Sequence, residues 1–232
     1  MPDINSTGAA APLRIDFVSD VACPWCAVGL ASLEIALARV APAITADLHF
    51  QPFELNPHMA PEGEDSIEHL QRKYGIGEEQ VRANGEALRQ RGEAVGFAFN
   101  LAVRKRVWNT FDAHRLLHWA ATVGAARQLA LKKALFSAYF IEGLSPADPA
   151  VLERLAVQAG LDGARAREIL SGDTFAAEVR EAETVFTEAG IHSVPAVIVN
   201  RQHLISGGQP PEVFERALKQ IAGARPQAVM TA

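Results

Sequence analysis

The 232 residues carry 22 Lys and Arg against 27 Asp and Glu, a net charge of -5, and 49% of the chain is hydrophobic, ample for a sizeable core that folds without staples. The acidic balance excludes the basic field that would gather nucleic acid or anionic lipid. No apolar run approaches the roughly 18 residues of a membrane span, and the opening "MPDINSTGAAAPLRIDF" has neither a basic nor an apolar leader segment, so a cytoplasmic protein with no membrane partner is expected.

In chain order, "LRIDFV" (Leu13 to Val18) is short, β-branched and aromatic, which suits a buried strand. Asp16 is out of place there: strand interiors disfavour Asp, and burying it costs desolvation unless the register turns it to solvent or it has work to do. The period then changes. Pro24 fits the first position of a helix, and Val28, Leu30, Ala31, Leu33, Ile35 and Leu37 spread apolar positions over a wide arc through Val40.

That places the chain's two cysteines, Cys23 and Cys26, at a helix N-terminus. Disulfides do not persist as braces in a reducing cytosol, and a bridge closing four residues restricts the unfolded chain very little. Structural zinc needs four ligands, and there is neither a second Cys pair nor an H-x₃₋₅-H at finger spacing, so no metal is expected. Incidental core thiols would leave the spacing unexplained. The remaining reading is redox chemistry: unpaired N–H groups and the positive end of the helix favour a thiolate at Cys23, the nucleophile. Cys26, one turn further in and more buried, is the resolving thiol.

"ITADLHFQPF" (Ile44 to Phe53) reads as a second strand and completes βαβ. Between about Pro57 and Gly190 no strand is expected, only helices with punctuation at their ends. "GEALRQRGEAVGFAFN" is a weak, glycine-interrupted helix, and Thr110 to Gly124 and Ala126 to Gly143 are strong ones. Asp148-Pro149 opens Val151 to Ala159 ahead of Gly160, and Asp173 opens a helix with Phe175, Val179, Ala182 and Phe186 on one face, ended by Gly190. Asn109 is either an N-cap or a substrate contact, and His114 either a functional or a satisfied core histidine. Trp25, Phe53, Phe97 and Trp108 are either an apolar rim around Cys23 or core. Strand Ala196 to Asn200, strand His203 to Ser206 and helix Pro210 to Ala222 form a ββα ending, with Pro195 at an edge or in a cis turn. Residues 1–12 and 225–232 are expected to fray.

Taken in order, "DFVSDVACPWC", "FQPFELNP", "WNTFDAHRL" and "SVPAVIV" resemble the DsbA-like branch of the thioredoxin superfamily, which includes FrnE-type oxidoreductases, 2-hydroxychromene-2-carboxylate isomerases and kappa-class glutathione transferases. The resemblance implies an α/β thioredoxin fold, βαβ…ββα, with a large all-helical insertion: a flexible 1–12, a thioredoxin domain from 13–56 and 191–224, and a helical insert at 57–190. It implies that Pro195 is cis beside Cys23 and that the backbone of Val194 pairs with an extended substrate. It also puts His114 on the active-site side of the insert, and Asp16 beneath Cys26, where it could accept the resolving thiol's proton.

Two functions compete on that fold. A thiol-disulfide oxidoreductase would act on a thiol- or disulfide-containing protein or small molecule, with Trp25, Val194, Asn109 and His114 as candidate substrate-binding residues. A glutathione-dependent isomerase or transferase is the alternative, but those relatives typically carry serine at the catalytic position and lack the second cysteine. They also tend to have a G-x-D-R-like stretch where this chain has Gly207-Gly208-Gln209-Pro210. Both thiols favour the oxidoreductase, with no cofactor and with glutathione the one co-substrate to consider. A peptide-holding module without chemistry would leave the thiols without purpose. Trp25 stands where strongly oxidising DsbA proteins carry histidine, so the potential is expected to be less oxidising than about -120 mV.

Overall fold

The computed structural model describes residues 11–224; the segments 1–10 and 225–232, where fraying is expected, lie outside the described residues. Strand β1 (Leu13–Ser19) leads into helix α1 (Pro24–Val40), which begins at Pro24 as expected, and then strand β2 (Ala46–Pro52). The chain continues through a two-residue strand β3 (Glu64–Asp65) and helices α2 (Ser66–Tyr74) and α3 (Glu78–Glu93) to a second two-residue strand, β4 (Arg106–Val107). Helices α4 (Phe111–Val123), α5 (Ala125–Phe140), α6 (Pro149–Gln158), α7 (Gly163–Leu170) and α8 (Ala176–Glu188) follow. Strands β5 (Ala196–Val199) and β6 (His203–Ser206) and helix α9 (Pro211–Gly223) close the fold.

The sheet order is β2-β1-β5-β6, with β1 parallel to β2 and antiparallel to β5, and β5 antiparallel to β6. Because side chains alternate along a strand, Ile15 and Phe17 of β1 face one side together. They join Cys26, Leu30 and Leu33 of α1 and Phe214 and Leu218 of α9 in one buried cluster. A second cluster forms among α4 to α7 around Leu116, Leu131, Leu135, Leu152 and Ile169.

Some local expectations shift. The 57–190 stretch holds, besides helices, the antiparallel β3–β4 ribbon, pinned where Ser66 donates to the carbonyls of Arg104 and Lys105. Two residues per strand leave no alternation for a sequence to display. Helix α3 forms over 16 residues despite Gly85 and Gly92, because Gly92 sits against Phe97 and Phe99, where a Cβ would come within 2.4 Å of a backbone oxygen. Helix α8 starts at Ala176 and not at Asp173: Phe175 takes a left-handed conformation (φ 65°) while the Asp173 carbonyl accepts only a turn bond from Ala176. Its ring lies 5.2 Å from that of His118, a tertiary contact that outweighs the cap.

The sheet would leave the outer edge of β2 unpaired. Buried Gln128 of α5 covers it: its side-chain amide accepts from Phe50 N–H (3.2 Å) and donates to Phe50 C=O (3.1 Å) and to Leu117 C=O of α4 (3.3 Å). One side chain thus docks α5 against both strand and helix. Gln128→Ala strands these groups at about 1–3 kcal/mol each where water cannot reach, and a chain of this size loses about 2–4 °C per kcal/mol. Thermal unfolding followed by circular dichroism is expected to show a Tm several degrees lower; an unchanged Tm would contradict this role.

Candidate active site

Asp20, just beyond β1, shapes the loop that presents the thiols. Its Oδ1 accepts from Ala22 N–H (3.1 Å) and its Oδ2 from Leu55 N–H (2.7 Å), while its carbonyl accepts from Cys23 N–H (3.2 Å). His114 of α4 brings Nε2 to 3.5 Å from Oδ1. Burial works against charge on Asp20, but His114 and the N–H groups of Leu55 and Ala22 outweigh it and hold the carboxyl below its usual range.

Cys23 is the N-cap residue of α1, and its carbonyl accepts from Cys26 N–H (3.1 Å). Both thiols are free; Cys23 is 4% exposed and Cys26 0%. The Cys23 thiol lies 3.6 Å from the Val194 carbonyl, and the Val194–Pro195 peptide is cis. Burial pushes the Cys26 thiol well up from its ordinary value and the adjacent Cys23 pushes the same way, against the pull of Lys132 and the Asp20 backbone. The thiolate form of the inner sulfur is therefore disfavoured.

Close approach around the pair depends on two glycines. A Cβ on Gly29 would meet the Pro195 ring at 3.0 Å and Gly208 Cα at 3.4 Å, and one on Gly208 would meet the Trp25 carbonyl at 2.8 Å. The first turns of α1 can thus lie directly against Pro195 and the β6–α9 turn. Trp25, at 39%, is the exposed aromatic beside the thiols. The other rim candidates pack inward: Phe97 stacks on Phe99 and Phe140, Phe53 joins the small cluster of Val18 and Ile191, and Trp108 packs on the main core.

Asn109 has both ends of its amide engaged: Oδ1 accepts from Phe111 N–H (2.8 Å) and Nδ2 donates to Glu54 (3.1 Å), while the N-cap position of α4 is taken by Thr110. Cys23, Cys26, Val194, Pro195 and Trp25 are brought together, with His114 joined to them through Asp20. Asp16 is not. It is buried as expected, but it lies between Ile15 and Phe17 and so points to the opposite face of β1 from Cys26. There it accepts from Arg14 Nε (2.9 Å) and Nη2 (2.6 Å) and from Gln51 (2.8 Å). The placement beneath Cys26 is thus corrected, by strand alternation.

Several site residues escaped the sequence reading. Asp20 stands three positions before Cys23 in "SDVAC", and its polarity inside an apolar turn was the available signal. Glu54, in "PFELNP", is buried and takes ion pairing from Arg180 of α8, which also contacts Glu183; burial pushes both glutamates up. Lys73 of α2 donates to the Leu55 carbonyl (3.0 Å) and to Asn56 (2.8 Å); burial lowers its pKa against the pull of Asp20 and Cys23. Lys132 is fully buried, and its position four residues after Gln128 and four before Phe136 was its signal. Among the described residues, no group of three or more His, Cys, Asp or Glu could hold a metal ion.

A model of the DSBA-like thioredoxin domain family matches residues 14–219. The fold is similar to that of a probable DsbA oxidoreductase from Streptomyces coelicolor, with a TM-score of 0.86 and 36% identity over 94% of each chain. The uncharacterized protein YwbO of Bacillus subtilis is 27% identical over 207 residues, covering 89% of this chain and 96% of that one. The structure of the cytosolic disulfide reductase DsbM from Pseudomonas aeruginosa with GSH superposes with a TM-score of 0.61 at 18% identity, over 90% of this chain and 99% of that one.

The placement of Asp16 has a measurable consequence. Asp16→Asn weakens the contact to half-exposed Arg14 and is expected to cost about 1 kcal/mol, while leaving both the formation and the release of mixed disulfides within twofold of wild type in stopped-flow exchange. Selectively slowed release would return Asp16 to the site.

Proposed function

Because the chain belongs to the DSBA-like thioredoxin domain family, we propose that it is a dithiol-disulfide oxidoreductase in which Cys23 attacks and Cys26 resolves. The observation that carries this reading is the pair of free thiols in unequal settings. Cys23 caps a helix opposite the Val194 carbonyl, and Cys26 lies fully buried one turn inside with its proton held by desolvation.

The chemistry has two steps. Cys23 gives up its proton and its sulfur bonds to one sulfur of a substrate disulfide, whose S–S bond breaks and whose other half leaves as a thiolate that can take up that proton. Cys26 then gives up its proton and bonds to Cys23, expelling the rest of the substrate as a second thiolate. The substrate is reduced by two electrons and the protein dithiol becomes a disulfide; run backwards, the same steps oxidise a dithiol substrate. Two thiols must restore the dithiol, and in a reducing cytoplasm glutathione is the co-substrate of that class.

Substrate is read as approaching over exposed Trp25, with its extended backbone beside Val194. The engaged amide of Asn109 leaves it a role in holding the turn before α4 and Glu54, and His114 acts through Asp20. A glutathione-dependent isomerase or transferase would leave Cys26 unused.

The two thiols are expected to respond differently to replacement. Cys23→Ser abolishes exchange with a disulfide-linked peptide, whereas Cys26→Ser accumulates a covalent protein–substrate adduct, read by non-reducing electrophoresis and mass. Equal trapping by both variants, or full activity in either, overturns the assignment.

A further inference from the structure

The turn between β6 and α9 walls one side of the thiol region and brings little chemistry of its own. Gly207 and Gly208 have no side chains, Pro210 has no N–H, and Gln209 folds back to donate Nε2 to the Ser206 carbonyl (2.7 Å). The turn is nonetheless fixed in place. Gly207 N–H donates to the Pro195 carbonyl (2.8 Å). Gly208 lies against Trp25, where a Cβ would come within 2.8 Å of the Trp25 carbonyl and 3.4 Å of the indole Cε3.

A charged side chain reaches this wall from the far side of the site. Arg91 stands in the last turn of α3, a helix that packs on α1, and its Nη2 donates to the Gly208 carbonyl (3.1 Å). Helix α3 has carboxylates to offer, but Arg89 takes them: its Nε and Nη2 donate to Glu86 (2.8 and 2.7 Å), and its Nη1 pairs with Glu93. Two positions along a helix are about 200° apart, so Arg91 leaves α3 from the other face. It has no ion pair among the described residues.

A guanidinium carries five N–H donors in a planar fork, and the Gly208 carbonyl engages Nη2 alone. That bond holds the group beside Trp25, which is 39% exposed, while Arg91 itself is half-buried. A cation already held loses less side-chain freedom on meeting an anion than a free surface arginine does. Planar bidentate pairing with a carboxylate is what the unengaged donors suit. The chain as a whole carries a net charge of -5, so an anionic substrate needs a local cation to be admitted.

We propose that Arg91 is a specificity-determining residue that pairs with a carboxylate of the substrate, so that the protein favours disulfides carrying negative charge near the reacting sulfur. The proposal rests on the thiol-disulfide reading of Cys23 and Cys26 and narrows its substrate class. A substrate lying over Trp25 and beside Val194 runs along the wall that Gly207 and Gly208 form, and Arg91 is bonded to that wall. The carboxylate can belong to an acidic side chain or to a chain end, since the fork recognises both in the same way.

The test is stopped-flow formation of the mixed disulfide by the full chain at pH 7 with three disulfide-linked model peptides, all acetylated at the N-terminus. The first has Glu on both sides of its cysteine and an amidated C-terminus. The second has Gln at those positions and a free C-terminal carboxylate, and the third has Gln and an amidated C-terminus. Wild type is expected to favour the first or the second over the neutral third by about threefold or more at low salt, and the preference is expected to shrink as salt rises. Preference for the first assigns the acidic side chain, and preference for the second the chain end. Arg91→Met is expected to abolish the preference while reacting with the neutral peptide within twofold of wild type. Arg91→Gln can still donate to Gly208 but has no charge, so it is expected to lose the preference as well, and it serves alone if the Met variant does not fold. A smaller wild-type preference, a preference kept in either variant, or an equal loss of rate with the neutral peptide overturns the proposal. A wild-type protein that forms no adduct with any of the three overturns the exchange reading itself, so the two failures are distinct.

Discussion

The carboxylate of Asp20 joins three parts of the molecule that are distant in sequence. It accepts from the turn that carries the thiols, from Leu55 just past the neighbouring strand, and faces His114 on α4. With its backbone carbonyl holding Cys23 N–H as well, the position of Cys23 is tied to the strand exit and to α4 at once. A buried carboxylate left without those donors would be expensive. The geometry of loop, strand and helix and the charge of Asp20 therefore require each other.

Around that anchor the protein concentrates buried polar groups that a stability-optimised core would omit. Glu54 and Glu183 share Arg180, and Lys132 lies among aromatic rings with no hydrogen-bond partner among the described residues. Replacing such groups with apolar ones is commonly neutral or stabilising, so their presence on the side of the fold that holds the thiols fits a site tuned at the expense of stability. Burial acts in opposite directions on a thiol and an amine: it raises Cys26 and lowers Lys132.

The α5 helix shows how packing and chemistry share one surface. Its buried stripe carries Gln128, which pairs with Phe50 N–H and C=O on the sheet edge, then Lys132, then Phe136, which joins the main core. A single helix face therefore contributes docking, charge and hydrophobic packing in successive turns. The glycines of the opposite wall do the complementary work: Gly29 and Gly208 are small where α1, Pro195 and the β6–α9 turn converge.

Local pattern alone fixed much of this. The strand before the thiols, the helix start at Pro24, the closing ββα and the caps at Asp148 and Gly160 are all short-range features, set by alternation, helical spacing and turn chemistry within a few residues. The CPWC spacing placed both sulfurs at a helix N-terminus by the same logic. Other features required the tertiary structure. Which face of β1 carries Asp16 depends on which side α1 and α9 cover, and the start of α8 is decided by where the Phe175 ring docks. The β3–β4 ribbon is too short to leave a pattern. Cys23 meets Val194 across 171 residues and Gln128 meets Phe50 across 78, and Lys132 becomes buried only once α5 packs against β2. A sequence displays the periodicity of each element, but desolvation and charge pairing arise only from what the folded chain places on the other side.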